Sequence, residues 1–302
     1  VLITGASTGI GLALARRLIG TTDHHVVLTA RSASLSRFVG AGLAPSDRVW
    51  IRALDVTSDD ERRRVVREVD AVLGGVDALV NNAGVALRAV VEHVRETDRL
   101  RQMDVNFRAP MELARLVLPA MRARRAGRIV NVSSVAGMMA MPTMAAYAAS
   151  KFALEGASEA LWYEVRPFGI HVTLVQPGFV RSNGFEHVLS TSLSACSQDR
   201  TDDPYHAHYT HMRGFVERLM RHAPSTPEHV ARVVARNLAR RHPPLRVAGT
   251  LDAHFFALLR RLLPRGLYHA LLYRSLPSVG RWGTREAEPC RSSLVDRPET
   301  ER

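Results

Sequence analysis

Residues 1–15, Val1-Leu-Ile-Thr-Gly-Ala-Ser-Thr-Gly-Ile-Gly-Leu-Ala-Leu-Ala15, decide the fold. An apolar run stops at a threonine, glycines follow as Gly-x-x-x-Gly-x-Gly, and a helical pattern begins. Strand, glycine-rich turn and helix in immediate succession are what a parallel α/β sheet uses to bind a dinucleotide. Gly5 permits the tight turn, Gly9 lets backbone approach a pyrophosphate, and Gly11 lets the helix pack near the strand. The helix N-terminus adds N–H donors and a favourable dipole.

Outward from this unit, short apolar runs alternate with longer helical patterns to about residue 250, the mark of repeated β-α units. Strands are expected at 1–4, 26–30, 49–54, 76–81, 127–133, 171–176 and 245–248. The fold class is therefore α/β: a Rossmann-type, doubly wound, seven-stranded parallel sheet with helices on both faces, occupying 1–250. Ser58 and Glu61 have capping-box spacing, and Thr226-Pro-Glu opens a later helix with a cap and a first-turn proline. Residues 181–225 break the rhythm with a long polar stretch after a strand's carboxyl end, where such sheets bind ligands, and are expected to form a substrate loop. A helical C-terminal extension is expected over 251–277, and a disordered tail over 278–302.

The chain has 302 residues, 46% of them hydrophobic, enough for one sizeable α/β domain. Its formal charge of +12 comes with a strong arginine bias. These arginines are scattered over helix-like segments such as Glu61-Arg-Arg-Arg-Val-Val-Arg67 without interleaved aromatics, so no nucleic-acid partner is expected. Cys196 and Cys290 show no metal or disulfide spacing, which makes a reducing, cytoplasmic setting the expectation. Val1 opens inside a strand pattern without an initiating Met, so a preceding segment is expected. No apolar run of about 18 or more residues predicts a spanning helix.

The second strand ends Val27-Leu-Thr-Ala30-Arg31-Ser32. Ala30 offers no carboxylate to the adenosine ribose, whereas Arg31 presents a planar fork suited to a 2′-phosphate, so NADP(H) is favoured over NAD(H). The sequence here resembles the classical short-chain dehydrogenases/reductases. Thr4-Gly-Ala-Ser-Thr-Gly-Ile-Gly11 is similar to that family's cofactor loop, Asp55-Val56 to its adenine-contacting pair, and Asn81-Asn-Ala-Gly84 to the motif beside its central strand. Asn106 matches an asparagine near the fourth and fifth helices, and Pro177-Gly178 the turn after strand six. Ser182 stands where the family has a threonine touching the nicotinamide carboxamide. The resemblance spans about residues 1–250. It implies cofactor contacts from Gly5, Ser7, Thr8, Gly9, Ile10, Gly11, Arg31, Asp55, Val56, Asn82, Ala83, Gly84, Tyr147, Lys151, Pro177, Gly178, Val180 and Ser182.

Tyr147 and Lys151, in Tyr147-Ala-Ala-Ser-Lys151, are an i, i+4 pair on one helix, and Lys151 is the chain's single lysine. A nearby cation favours phenolate and so lowers a phenol's pKa from about 10, and a compact ammonium fits beside a phenol and a ribose where a guanidinium does not. Ser134 lies 13 positions before Tyr147. The resemblance implies that Ser134 hydrogen-bonds the substrate oxygen and that Asn106 holds a water relaying protons to Lys151. Ser133 is the adjacent competitor. The predicted catalytic set is thus Ser134, Tyr147, Lys151 and Asn106, exchanging hydride and proton between an alcohol and its carbonyl.

His206, His208 and His211 have no convincing ligand spacing, and no metal is expected. The extension and the Ser150–Gly156 run resemble the hydroxysteroid and retinol dehydrogenase branch, implying a hydrophobic alcohol or ketone of steroid-, retinoid- or lipid-like size. A broad short-chain carbonyl reductase and a non-catalytic NADP-sensing regulator are the alternatives. Residues 251–276 carry Phe255, Phe256, Leu258, Leu259, Leu262 and Leu263 among arginines, which fits a membrane surface, a cover over the substrate opening or a neighbouring subunit. A homodimer or homotetramer is expected from the resemblance.

Overall fold

A computed structural model of the chain describes residues 1–181 and 188–283. Strands β1 (Leu2–Ile3), β2 (Val26–Ala30), β3 (Val49–Ala53), β4 (Ala78–Asn81), β5 (Gly127–Val132), β6 (Ile170–Gln176) and β7 (Arg246–Ala248) form one sheet in the order β3-β2-β1-β4-β5-β6-β7. Every pairing is parallel, as the alternating pattern predicts. The helices are α1 (Gly9–Thr21), α2 (Ser36–Gly40), α3 (Asp59–Leu73), α4 (Glu96–Met103), α5 (Ala109–Arg124), α6 (Ala145–Val165), α7 (Ser192–Asp199), α8 (His206–Arg221), α9 (Pro227–Ala239), α10 (Leu251–Leu262) and α11 (Arg265–Ser275).

Side chains alternate between the two faces of each strand, which splits the core into two layers. Leu2, Val27, Leu79 and Ile129 pack with residues of α3, α5 and α6. The following residue in each strand, Ile3, Leu28, Val80 and Val130, packs with α1 and α9. Chain order reverses at β1, which lies between β2 and β4, and the crevice outside the carboxyl ends of strands at such a point is where ligands bind.

The glycine turn is built as its spacing requires. Gly5 has φ +64°, and a Cβ there would come within 2.8 Å of the Ala83 backbone. At Gly11 a Cβ would collide with the Gly5 carbonyl and the Asn82 amide, so helix and turn approach this closely only without a side chain.

Helix starts agree with the sequence in one case and only half in another. Thr226 accepts the His229 N–H and Pro227 opens α9. Ser58 accepts the Glu61 N–H, but the Glu61 carboxylate does not return to Ser58: it accepts the Asp55 N–H at 2.7 Å. The Ser58 N–H is already taken by the Asp55 carbonyl, so Glu61 instead fixes the turn after β3 that carries Asp55.

The polar stretch 181–225 contains two helices where the sequence reading placed a loop. In α8, Tyr209, Met212 and Val216 form a buried stripe at helical spacing. Its histidines bond separately: His206 Nδ1 lies 3.2 Å from the Ser197 carbonyl, and His211 Nδ1 accepts from Trp282 Nε1 at 3.1 Å. Trp282 falls within the tail expected to be disordered, and this bond with ring contact to His208 anchors it; residues 284–302 lie outside the described residues. The edge strand β7 is fastened by Arg246, which donates to Glu155 at 3.0 Å and Glu159 at 2.7 Å on α6.

Candidate active site

Two spaces open at the carboxyl edge of the sheet. The larger is a cleft of about 690 Å³ over the glycine turn. Gly5, Ser7, Thr8, Gly9, Ile10, Arg31, Asp55, Val56, Asn82, Ala83, Gly84 and Val180 line it. Gly11 does not: it lies beneath the turn, where its contribution is close packing. Gly178 lines the second space and not this cleft, Pro177 lines neither, and Ser182 is outside the described residues.

The cleft fits a dinucleotide. Thr8 precedes α1 in an extended conformation and makes no side-chain cap, and the first turn of α1 holds no acid, so the N–H donors there are unmet by a side chain and their field is unopposed. Asn82 braces the turn by donating Nδ2 to the Thr4 and Gly5 carbonyls, each at 3.0 Å. Burial pushes the Asp55 carboxyl up, but hydrogen bonds from Thr57 and the charges of Arg31 and Arg101 outweigh it and hold Asp55 below the usual carboxylate range. Sequence reasoning missed Arg37 and Arg101, which also line the cleft. Both were indistinguishable from surface arginines until the short helices after β2 and before α5 brought them to the rim.

The second space, about 210 Å³, is mostly apolar and has Ser134 and Tyr147 in its wall. Ser134 follows β5, while the adjacent Ser133 hydroxyl is buried away from the cavity, close to where a Cβ of Gly137 would sit. That geometry separates the two candidate serines. Met139, Met141, Met144, Phe179, Met220 and Phe256 supply the apolar wall.

Lys151 lies between the two spaces, 5% exposed. Its Nζ donates to the Val132 carbonyl at 2.9 Å and is 5.9 Å from the Tyr147 ring centre. Asn106 occupies a π-helical turn, Asp104–Arg108, between α4 and α5. The widened turn directs Asn106 inward: Nδ2 donates to the Val85 carbonyl and the Ser150 hydroxyl, and Oδ1 accepts the Val85 N–H. Ser150 in turn donates to the Tyr147 carbonyl at 2.7 Å, so Asn106 props the turn of α6 that carries the phenol. This bracing role of Ser150 was not read from the sequence, which offered the residue only as the start of the Ser150–Gly156 run.

The electrostatics differ from the simple expectation of a lowered phenol. Burial pushes Tyr147 above its ordinary value, and the Ser134 hydroxyl acts in the opposite direction. Burial also pushes Lys151 down to about 8, partly offset by Glu155. At the phenol, desolvation outweighs the Ser134 hydrogen bond, so in the chain alone Tyr147 keeps its proton at neutral pH.

The C-terminal extension joins the site directly. Thr250 Oγ1 accepts the Gly178 N–H and Asp252 Oδ2 accepts the Phe179 N–H, both at 2.8 Å. Phe256, Leu259, Leu263 and Tyr268 pack on Met138 and Met139 beside the cavity. Among the described residues no cluster of histidine, cysteine or carboxylate groups has the arrangement of a metal site.

A parallel sheet with this glycine turn and a Ser-Tyr-Lys grouping at its carboxyl edge is the architecture of a nicotinamide-dependent oxidoreductase. The family model described as short chain dehydrogenase matches residues 1–192, and the chain belongs to that family. It is 33% identical over 265 residues to the 3-ketodihydrosphingosine reductase of Bacteroides thetaiotaomicron, spanning 87% of this chain and 93% of that one. To retinol dehydrogenase 8 of Bos taurus it is 34% identical over 285 residues, spanning 91% and 90%. A metagenomic short-chain oxidoreductase solved in complex with NADP superposes with a TM-score of 0.60 at 29% identity, over 82% of this chain and 95% of that one. The protein is thus an oxidoreductase of alcohols and carbonyls that takes a nicotinamide cofactor.

Proposed function

We propose that the protein interconverts a bulky hydrophobic alcohol and its ketone or aldehyde with NADP(H), using Ser134, Tyr147, Lys151 and Asn106. The observation that carries this reading is the convergence of Ser134 and Tyr147 on an apolar cavity, with Lys151 between it and the dinucleotide cleft. Bound nicotinamide supplies the hydride donor or acceptor. Ser134 holds the substrate oxygen. Tyr147 gives its proton to a carbonyl in reduction and takes one from an alcohol in oxidation, and Lys151 supplies the positive field that makes this transfer accessible near neutral pH. Asn106 keeps the Tyr147 turn in register. A cofactor-oxidation screen across steroids, retinoids and small ketones tests the substrate class. Relatives named for 3-ketodihydrosphingosine and retinol favour the lipid-like arm, and turnover confined to small ketones would overturn it.

Preference for the phosphorylated cofactor rests on a cleft rim with Arg31, Arg37 and Arg101 and no carboxylate at the end of β2. Arg31→Ala is expected to raise KM for NADPH about tenfold or more, the scale of a lost hydrogen bond to a charged group, with little change for NADH. Equal effects on the two cofactors would leave Arg31 as a surface residue.

The outer face of the extension supports contact with an anionic lipid surface. Leu251, Phe255, Leu258 and Leu262 form one exposed stripe along α10, with Leu267 and Leu271 on α11 and the exposed Arg261, Arg265 and Arg274 around them. Among the described residues no helix is long and apolar enough to cross a membrane. Co-sedimentation with phosphatidylserine vesicles is expected to fall severalfold on Leu258→Glu plus Leu262→Glu, with activity on a small ketone measured alongside. Binding that survives both charges assigns the stripe elsewhere. Self-association through the α5 and α6 faces, where Met111, Leu118, Leu161 and Phe168 line a groove, is the companion proposal for oligomeric state.

A further inference from the structure

The cavity at Ser134 and Tyr147 measures about 210 Å³, below the roughly 300–1,000 Å³ of pockets that enclose a drug-sized molecule. A substrate of steroid, retinoid or long-chain size therefore extends beyond it. A groove of about 440 Å³ lies against the same wall, and Phe179 lines both spaces.

Two further elements are shared. On α8, Val216 and Met220 line the cavity while Phe215 and Leu219 line the groove. Each pair has i, i+4 spacing and the pairs are offset by one residue, so they are neighbouring stripes of one helix. On α10, Asp252 lines the groove and Phe256, one turn later, lines the cavity. At the shared wall the Gly178–Phe179 backbone is held by Thr250 and Asp252, and Phe179 lines both spaces. A side chain at Gly178 would collide with the Asp252 carboxylate, so the wall admits nothing thicker there. Beyond it, Phe215, Leu219, Ala223 and Pro224 make an apolar floor, and Arg218 and His222 stand at the groove with Asp252.

We propose that this groove is the distal subsite for substrate, taking the alkyl chain of a long-chain ketone or alcohol whose reacting carbon lies at Ser134 and Tyr147, with Phe179 as the gate between the two spaces. The proposal rests on the assignment of chemistry to that cavity. Its occupant follows from continuity with the cavity, the shortfall in the cavity's volume and the apolar floor.

Leu219→Trp fills the groove and Phe215→Ala removes part of its wall, and neither residue lines the cavity. Full-length protein with NADPH is titrated with hexan-2-one and hexadecan-2-one on a Tyr147→Phe background, where binding is read without turnover. Each groove variant is expected to reduce the preference for the long ketone over the short one by roughly tenfold, since excluding even two methylenes costs about that factor. A preference that stays within about twofold in both correctly folded variants overturns the distal subsite. Turnover of hexadecan-2-one by the chain with Tyr147 intact is measured separately. Its absence counts against the catalytic assignment, and the binding ratio still decides the groove.

Discussion

Tyr147→Phe is expected to lower kcat by roughly 10²- to 10⁴-fold, the range supplied by a positioned proton-transfer group, while the affinity for NADPH stays within about twofold. The substitution removes one oxygen and leaves the ring in α6, where Ser150 fixes the backbone beneath it. The dinucleotide cleft is lined by other residues, so its contacts survive. Steady-state NADPH oxidation together with cofactor fluorescence titration separates the two effects. Near-native turnover with folded protein would remove Tyr147 from the chemistry, and a parallel loss of cofactor affinity would make its role structural.

Lys151 carries the second large effect. Lys151→Arg keeps the charge but must place a longer, planar group where a 5% exposed ammonium is held by the Val132 carbonyl and lies close to Gly84. A loss of kcat of about 100-fold or more is expected, as misplacement by about an ångström costs in other sites. Lys151→Met loses activity too, yet it is expected to melt at a higher temperature near neutral pH. The folded chain pushes Lys151 down to about 8, from an ordinary value of about 10.4. A cation whose pKa is lowered by folding destabilises the fold while it stays charged: the cost is complete below pH about 8 and disappears as pH rises through about 10.4. Relief of that cost at pH 7 amounts to at most about 3 kcal/mol, and the gain should fade toward pH 10. Denaturation of both proteins at the two pH values checks it. A gain that grows with pH would mean that burial of the ammonium is not what the site costs.

The glycine turn, the strand sequence and the Tyr-Lys spacing were legible because each depends on local geometry. Only glycine fits Gly5, alternation assigns Leu2 and Ile3 to opposite layers, and i, i+4 spacing puts Tyr147 and Lys151 on one face. Ser133 and Ser134 were separable by spacing, and the fold distinguishes them by burial. What stayed hidden depends on long-range closure. Arg37 and Arg101 gain meaning only when distant segments meet at the cleft, and the π-helical turn at Asn106 has no motif of its own. Thr250 and Asp252 meet residues more than 70 positions earlier, at Gly178 and Phe179. The direction of the Tyr147 shift was misjudged because sequence displays the partner charge and not the depth of burial.

Arg246 gives the sheet an uneven temperament. β7 is a three-residue edge strand, and its side-chain ties to α6 are ionic bonds to Glu155 and Glu159. Edge strands and thinly packed ends open first in native-state fluctuations. Here the edge leads within two residues to Thr250 and from there into α10, so a local opening of β7 would release the Gly178–Phe179 wall as well. Hydrogen exchange at β7 and at the Gly178–Phe179 backbone is therefore expected to respond together when Arg246 loses its carboxylate partners. Access to the apolar cavity would then be set by fraying of the last strand as well as by the width of its static opening.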